Sequence, residues 1–100
     1  DIGKYFPSDD EKYKDIDSTT LLISTLNIVS LSGWRIGNID VTIIAQDPKL
    51  SGFIELMRST LSSLLKVNQN VINVKATTTD ELGFIGQGKG IACQAVALIV

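Results

Sequence analysis

The sequence is 100 residues long, 44% hydrophobic and 20% charged, which fits one folded domain and excludes a disordered chain. A net charge of -2 supplies no basic stripe, and no apolar run reaches the roughly 18–20 residues of a membrane span, so neither nucleic acid nor a bilayer is expected as partner. With no histidine, a histidine general acid or histidine-ligated metal cannot come from these residues, and the single cysteine, Cys93, allows no internal disulfide and fits a reducing compartment.

The chain opens on Asp1-Ile2-Gly3 without a methionine, which reads as part of a longer chain. Residues 1–17 read as loop, with Gly3, Pro7 and carboxylates at Asp9, Asp10, Glu11, Asp15 and Asp17. Two readings stand side by side: a solvated acidic turn, or a lip in which Ser8-Asp9-Asp10 holds a hydroxylated or metal-bound ligand. Beside a phosphate, the second needs a cation between the charges. Asp17-Ser18 then caps a helix in which Leu22, Leu26 and Val29 recur at helical spacing, and Gly33 closes it.

From Trp34 to Ala45 the period changes. Ile39, Val41, Ile43 and Ala45 alternate with Asn38, Asp40, Thr42 and Ile44, the pattern of a strand with one face buried. Asp47-Pro48 stops it, because proline lacks the ladder N–H. Ser51, with Glu55 in the first turn, starts a helix whose Phe53, Met57, Leu61 and Leu64 form one stripe. After the Asn68-Gln69-Asn70 turn, Ile72, Val74 and Ala76 alternate as a second strand, and Ile91 to Val100 is an almost unbroken apolar strand. Such a run suits a central strand covered on both faces, or one facing another subunit. The order of helix, strand, helix, strand, strand gives an α/β sandwich with helices on one face of the sheet.

A strand feeding a helix that feeds a neighbouring strand places the loops after Ala45 and Ala76 at one sheet end. Gln46-Asp47-Pro48-Lys49-Leu50-Ser51 then lies beside Thr77-Thr78-Thr79-Asp80. Backbone groups and one lysine face three hydroxyls and a carboxylate, which suits a phosphate or nucleotide. The Gly86-x-Gly88-x-Gly90 run admits a phosphate cradle or a flexible, hairpin-like connection, and it lacks the strand and helix context of a dinucleotide fingerprint.

At these residues the chain resembles the 2-C-methyl-D-erythritol 2,4-cyclodiphosphate synthase family of the non-mevalonate isoprenoid pathway. The resemblance is carried by Asp1-Ile2-Gly3-Lys4, Phe6-Pro7, the run from Gly37 to Gln46, Pro48-Lys49, Asn73 to Thr79, Leu82-Gly83-Phe84, Gly90 to Cys93 and Ala95-Val96-Ala97. It spans the whole chain in order.

The resemblance implies an α+β fold with a mixed sheet, the sheets of three subunits facing one another around a homotrimer axis. It implies cyclisation of 4-diphosphocytidyl-2-C-methyl-D-erythritol 2-phosphate with release of CMP, in bacterial cytoplasm or a plastid-type organelle such as an apicoplast or chloroplast stroma. Ala45 through Ser51 correspond to the cytidine pocket, with Lys49 near the phosphates. Thr78 stabilises the transition state between Thr77 and Thr79. Asp80, where the common family form has glutamate, holds Mg²⁺ or Mn²⁺ on the diphosphate. Asp1, Ile2, Gly3, Phe6, Pro7, Ser8, Asp9 and Asp10 meet the methylerythritol phosphate end. The family's zinc ligands, an Asp-x-His pair and a further histidine, precede Asp1, so residues 1–100 form the C-terminal part of a single synthase domain and are expected to be inactive alone. Phe84 and Gln87 border an axial cavity that holds an isoprenoid diphosphate. Gln87 and Lys89 stand where the family often has arginine and glutamate, and glutamine lacks the guanidinium fork. The competing expectations are a non-catalytic nucleotide- or isoprenoid-diphosphate-binding trimer, or a purely structural trimerisation domain.

Overall fold

Residues 1–34 and 35–100 form separate units in the computed structural model, which describes all 100 residues. In the first unit, the Asp1 carboxylate accepts the Gly3 N–H at 3.0 Å and starts the single helical turn α1 (Ile2–Tyr5). Asp10 does the same for Lys12 at 3.1 Å, at the head of a 3₁₀ turn over Glu11–Tyr13. The stretch expected as plain loop therefore holds two turns, because short carboxylate side chains satisfy the first free amides of each. Phe6 packs edge-on against Tyr13, with ring centres 5.5 Å apart.

The helix expected next is α2 (Ser18–Leu31). Asp17 Oδ1 accepts both the Thr19 N–H at 2.9 Å and its hydroxyl at 2.8 Å. Its end is a Schellman turn: Gly33 sits at φ +86°, its N–H donates to the Ser30 carbonyl, and the Trp34 N–H reaches back to Val29 at 3.1 Å.

The second unit contains β1 (Ile36–Ile44), α3 (Ile54–Leu65), β2 (Ile72–Thr77), the helical turn α4 (Gly83–Gly86) and β3 (Ala92–Ile99). They make a three-stranded mixed sheet of order β2-β1-β3. β1 runs parallel to β2, from Ile39 opposite Ile72 to Ile44 opposite Thr77, and antiparallel to β3, from Ile36 opposite Ile99 to Ile44 opposite Ala92. The central strand is thus β1. Of the two expectations for the apolar 91–100 run, the central strand does not hold among these 100 residues: β3 lies at the edge, and Val96 and Leu98 keep 73% and 52% of their surface exposed. An apolar run does not itself say which neighbour covers it.

α3 covers the sheet face that carries Val41, Ile43 and Val74, and Ala45, Leu65, Ile72 and Val74 are the buried core. Arg58 ties the two layers together. Its Nε donates to the Ile72 carbonyl and its Nη2 to Gln69, both at 2.9 Å, while Nη1 meets both carboxylate oxygens of Glu55 at 3.0 Å. The expected start at Ser51 is refined: Ser51–Phe53 is a 3₁₀ turn without a side-chain cap, and the α-helix proper begins at Ile54. The Phe53, Met57 and Leu61 stripe lines, with Leu56 and Thr60, an open apolar hollow of about 590 Å³.

Candidate functional site

The site is set by the parallel pairing of β1 with β2. Both strands leave the sheet at the same end, as the order of elements requires. There Ala45, Gln46, Pro48, Lys49, Leu50 and Ser51 line one wall of a hollow of about 170 Å³, and Ala76, Thr77 and Thr78 line the other. A complete small-molecule site occupies about 300–1,000 Å³, so this hollow takes one portion of a ligand and leaves the rest at its rim. Lys49 is exposed and enters none of the chain's ion pairs, so its ammonium is free for an anion.

Of the residues expected in this pair of loops, Asp47, Thr79 and Asp80 do not line the hollow. Asp47 is exposed and joined to Pro48 by a cis peptide. Thr79 donates its hydroxyl to the Leu82 carbonyl at 2.7 Å. Asp80 stands next to Thr78: its N–H donates to Thr78 Oγ1 at 3.1 Å, and that hydroxyl lies 3.3 Å from Asp80 Oδ1. The hydroxyl and the carboxylate thus form one polar unit at the rim.

Asp80 and Glu81 both have left-handed backbones, φ +53° and +68°, and the Leu82 N–H closes back onto the Thr79 carbonyl at 3.1 Å. This is a type I′ turn made without glycine or asparagine: aspartate tolerates the left-handed region, whereas a left-handed glutamate is uncommon. Two neighbours accommodate it. Gln46 Oε1 accepts the Glu81 N–H at 2.9 Å, and a Cβ on Gly86 would collide with the Glu81 carbonyl carbon and come within 2.7 Å of its Cα. Sequence reasoning gave Glu81 no role, since Asp-Glu carries no turn signature.

The glycine run is not a hairpin-like connection. Its first part is α4, closed by Gln87 and Gly88 amides donating to Gly83 and Ile85 at 3.1 and 3.0 Å. Phe84 and Gln87 are exposed, and the Phe84 ring lies over Gly90, where a Cβ would meet it at 3.3 Å.

In the first unit, Asp1, Ile2 and Phe6 line a hollow of about 300 Å³ with Tyr5, Thr25, Ile28 and Val29. Asp10 is committed to the Lys12 N–H and lies 3.7 Å from the Lys12 ammonium, while Ser8 and Asp9 are exposed at the turn. Gly3 and Pro7 act through backbone: Gly3 receives the Asp1 cap, and the Pro7 carbonyl accepts the Asp10 N–H at 3.1 Å.

The donor set decides which metals these residues suit. No group of three histidine, cysteine, aspartate or glutamate side chains converges anywhere, and zinc sites require three or four such ligands. These 100 residues do not fit zinc. Mg²⁺ is different, since it keeps several waters and takes one or two carboxylates plus substrate phosphates, and the exposed Asp80 carboxylate fits that demand.

The fold is a mixed-sheet α/β domain that sets a proline-lysine loop beside a hydroxyl and carboxylate turn at one strand end. The chain belongs to the YgbB family, which it matches over residues 1–100. It is 51% identical over all its residues to the 2-C-methyl-D-erythritol 2,4-cyclodiphosphate synthases of Actinobacillus pleuropneumoniae serotype 5b (strain L20) and Erwinia tasmaniensis, covering 63% and 64% of their lengths. Among solved structures, it resembles the bifunctional IspDF from Campylobacter jejuni (TM-score 0.92, 40% identity, 97% of this chain and 26% of that one). It also resembles the Plasmodium falciparum IspF CDP complex (TM-score 0.85, 32% identity, 100% of this chain and 59% of that one). The chain therefore spans somewhat under two thirds of the curated relatives it matches.

Proposed function

We propose that this chain supplies the nucleotide and diphosphate portion of a 2-C-methyl-D-erythritol 2,4-cyclodiphosphate synthase. The observation that carries the reading is the shared hollow between Ala45–Ser51 and Ala76–Thr78, in a fold similar to an IspF captured with CDP. In this reading the cytosine and ribose sit against Ala45, Gln46, Pro48, Leu50 and Ser51, and Lys49 meets the diphosphate. An oxygen of the 2-phosphate forms a bond to the β-phosphorus. The bond from that phosphorus to the bridging oxygen breaks, and its electron pair leaves with CMP. No covalent enzyme intermediate is needed, because such transfer depends on positioning and on charge neutralisation at the phosphoryl oxygens.

Thr78 donates its hydroxyl to the phosphates, flanked by Thr77 and Thr79, and Asp80 would hold Mg²⁺ or Mn²⁺, which neutralises diphosphate charge when bound. Zinc, on this reading, is held by residues other than these 100. Asp1, Ile2, Gly3 and Phe6 to Asp10 form the methylerythritol phosphate end. The exposed apolar side chains of β3 support a homotrimer, with Phe84 and Gln87 toward an axial isoprenoid diphosphate. No helix is long and apolar enough to cross a membrane, and bacterial cytoplasm or a plastid-type organelle is the proposed compartment.

The test is to incubate the full-length protein with 4-diphosphocytidyl-2-C-methyl-D-erythritol 2-phosphate and Mg²⁺ and follow ³¹P resonances. Formation of CMP and the cyclodiphosphate, stopped by a chelator, is expected. CDP binding without CMP release would instead establish a non-catalytic binding module.

A further inference from the structure

We propose that Gln46 is a positioning residue that sets the register between the two halves of the site. The Thr79–Leu82 turn carries Asp80 and, through the Asp80 N–H, orients the Thr78 hydroxyl. It is left-handed at two consecutive non-glycine residues and closed by its own bonds between Thr79 and Leu82, but those bonds do not tie it to the opposite wall. Gln46 belongs to the opposite wall, in the same loop as Lys49, and its side-chain oxygen accepts the Glu81 N–H at 2.9 Å across 35 residues of sequence. Gly86 leaves room behind the Glu81 backbone, where any side chain would collide with it. Gly86 itself is not left-handed, so an alanine there is opposed only by Glu81 and not by its own backbone. The turn is thus tied to the opposite wall by one acceptor, in space that the missing Cβ of Gly86 leaves open. That grip fixes Thr78 and Asp80 relative to Lys49, hence the in-line geometry between the attacking phosphate and the departing CMP. A displacement of about 1 Å at such a site can lower turnover about a hundredfold without removing any contact to the nucleotide.

The inference rests on the synthase reading, and the test separates the two. In the full-length protein, Gln46→Met keeps the side-chain length but removes the acceptor, Gln46→Glu keeps an acceptor, and Gly86→Ala pushes on Glu81 without touching the nucleotide hollow. Three quantities are measured: kcat for CMP release, the CDP dissociation constant by calorimetry, and hydrogen exchange at the Glu81 amide. Gln46→Met is expected to lower kcat about tenfold to a hundredfold and to expose the Glu81 amide to exchange, with a smaller loss of CDP affinity because Gln46 also lines the hollow. Gln46→Glu keeps that amide protected, and Gly86→Ala repeats the kcat loss with CDP affinity intact. Should Gly86→Ala fail to fold, the two Gln46 variants decide. A loss of CDP affinity as large as the loss in kcat, or a Glu81 amide that exchanges equally fast in wild type and Gln46→Met, overturns the proposal. If the wild type releases no CMP, the synthase reading fails, and the exchange comparison alone decides the Gln46 grip.

Discussion

Ala45 donates its backbone N–H to the Thr77 carbonyl at 3.0 Å, one residue past the end of β1. This rung prolongs the parallel ladder that pairs Ile44 with Thr77, so both chains leave the sheet side by side. In a parallel pair, the residues that follow each strand necessarily emerge at one edge, which is why ligands collect there. The loop from Gln46 to Ser51, Asp47 apart, and Thr77–Thr78 share a hollow for that reason, although twenty-five residues lie between Ser51 and Thr77.

Removing the Thr78 hydroxyl takes away the group that donates to Asp80 Oδ1 and accepts its N–H, while leaving the strand end in place. In the full-length protein, Thr78→Ala is expected to lower kcat for CMP release about a hundredfold, the scale seen for loss of one transition-state donor. Thr78→Ser, which keeps the hydroxyl, should recover most of it. Unchanged turnover in Thr78→Ala would remove this residue from the mechanism.

Lys49 lines the hollow and has no carboxylate partner, so an anion bound there would meet an unpaired ammonium. Lys49→Met keeps the stem and removes the ammonium. CDP binding measured by calorimetry should weaken about tenfold, the equivalent of one charge-assisted hydrogen bond. Its salt dependence should fall as well, because one screened charge pair is gone. An unaltered dissociation constant would place the phosphates elsewhere.

The elements with strong local signals were legible in the sequence. Asp17 as N-cap and Gly33 as helix closure follow from side-chain and backbone chemistry within a few residues, and both are present. The meeting of the two loops also followed, since the order of strand, helix and strand dictates it. What was not legible depends on contacts distant in sequence. The run 91–100 lies at the sheet edge because β2 and β3 flank β1, which no property of the run encodes. The left-handed Asp80-Glu81 turn is anchored by Gln46 in space that Gly86 leaves open, and a left-handed Glu81 has no signature of its own in the sequence.

Arg58 joins α3 to the Ile72 carbonyl of β2 and to the Gln69 carbonyl of the turn before it, and meets Glu55 through its remaining nitrogen, with only 24% of its side chain exposed. Arg58→Ala would leave the Ile72 and Gln69 carbonyls without this donor in a partly buried layer. A destabilisation of about 2–3 kcal/mol is expected in urea unfolding. Arg58→Lys should recover less than half, because an ammonium cannot span both carbonyls and the carboxylate with a planar fork. A lysine variant as stable as wild type would show that charge alone suffices at this position.

The last expectation concerns acid. The Asp40 carboxylate on β1 accepts hydrogen bonds from Lys75 and, at 3.0 Å, from Asn73, both on β2. The Lys75 hydrogen bond foremost, then that of Asn73, holds its pKa below the ordinary carboxylate value. Asp17 is lowered in the same direction, first by the Thr19 N–H and then by its hydroxyl. A carboxyl with a lowered folded pKa leaves the unfolded chain binding more protons in the window between the two values, so stability rises with pH there. The contribution is fully present above the unfolded value of about 3.9 and is lost as pH falls through the lowered folded value. Asp40→Asn cannot titrate, so its urea midpoint should fall less steeply than wild type below about pH 4 while lying lower near neutrality. Both partners are about half exposed, so added salt should shrink the difference. Parallel acid profiles for the two proteins would mean that the Asp40–Lys75 pair is made equally in the unfolded chain, and that its geometry in the sheet contributes nothing to folding.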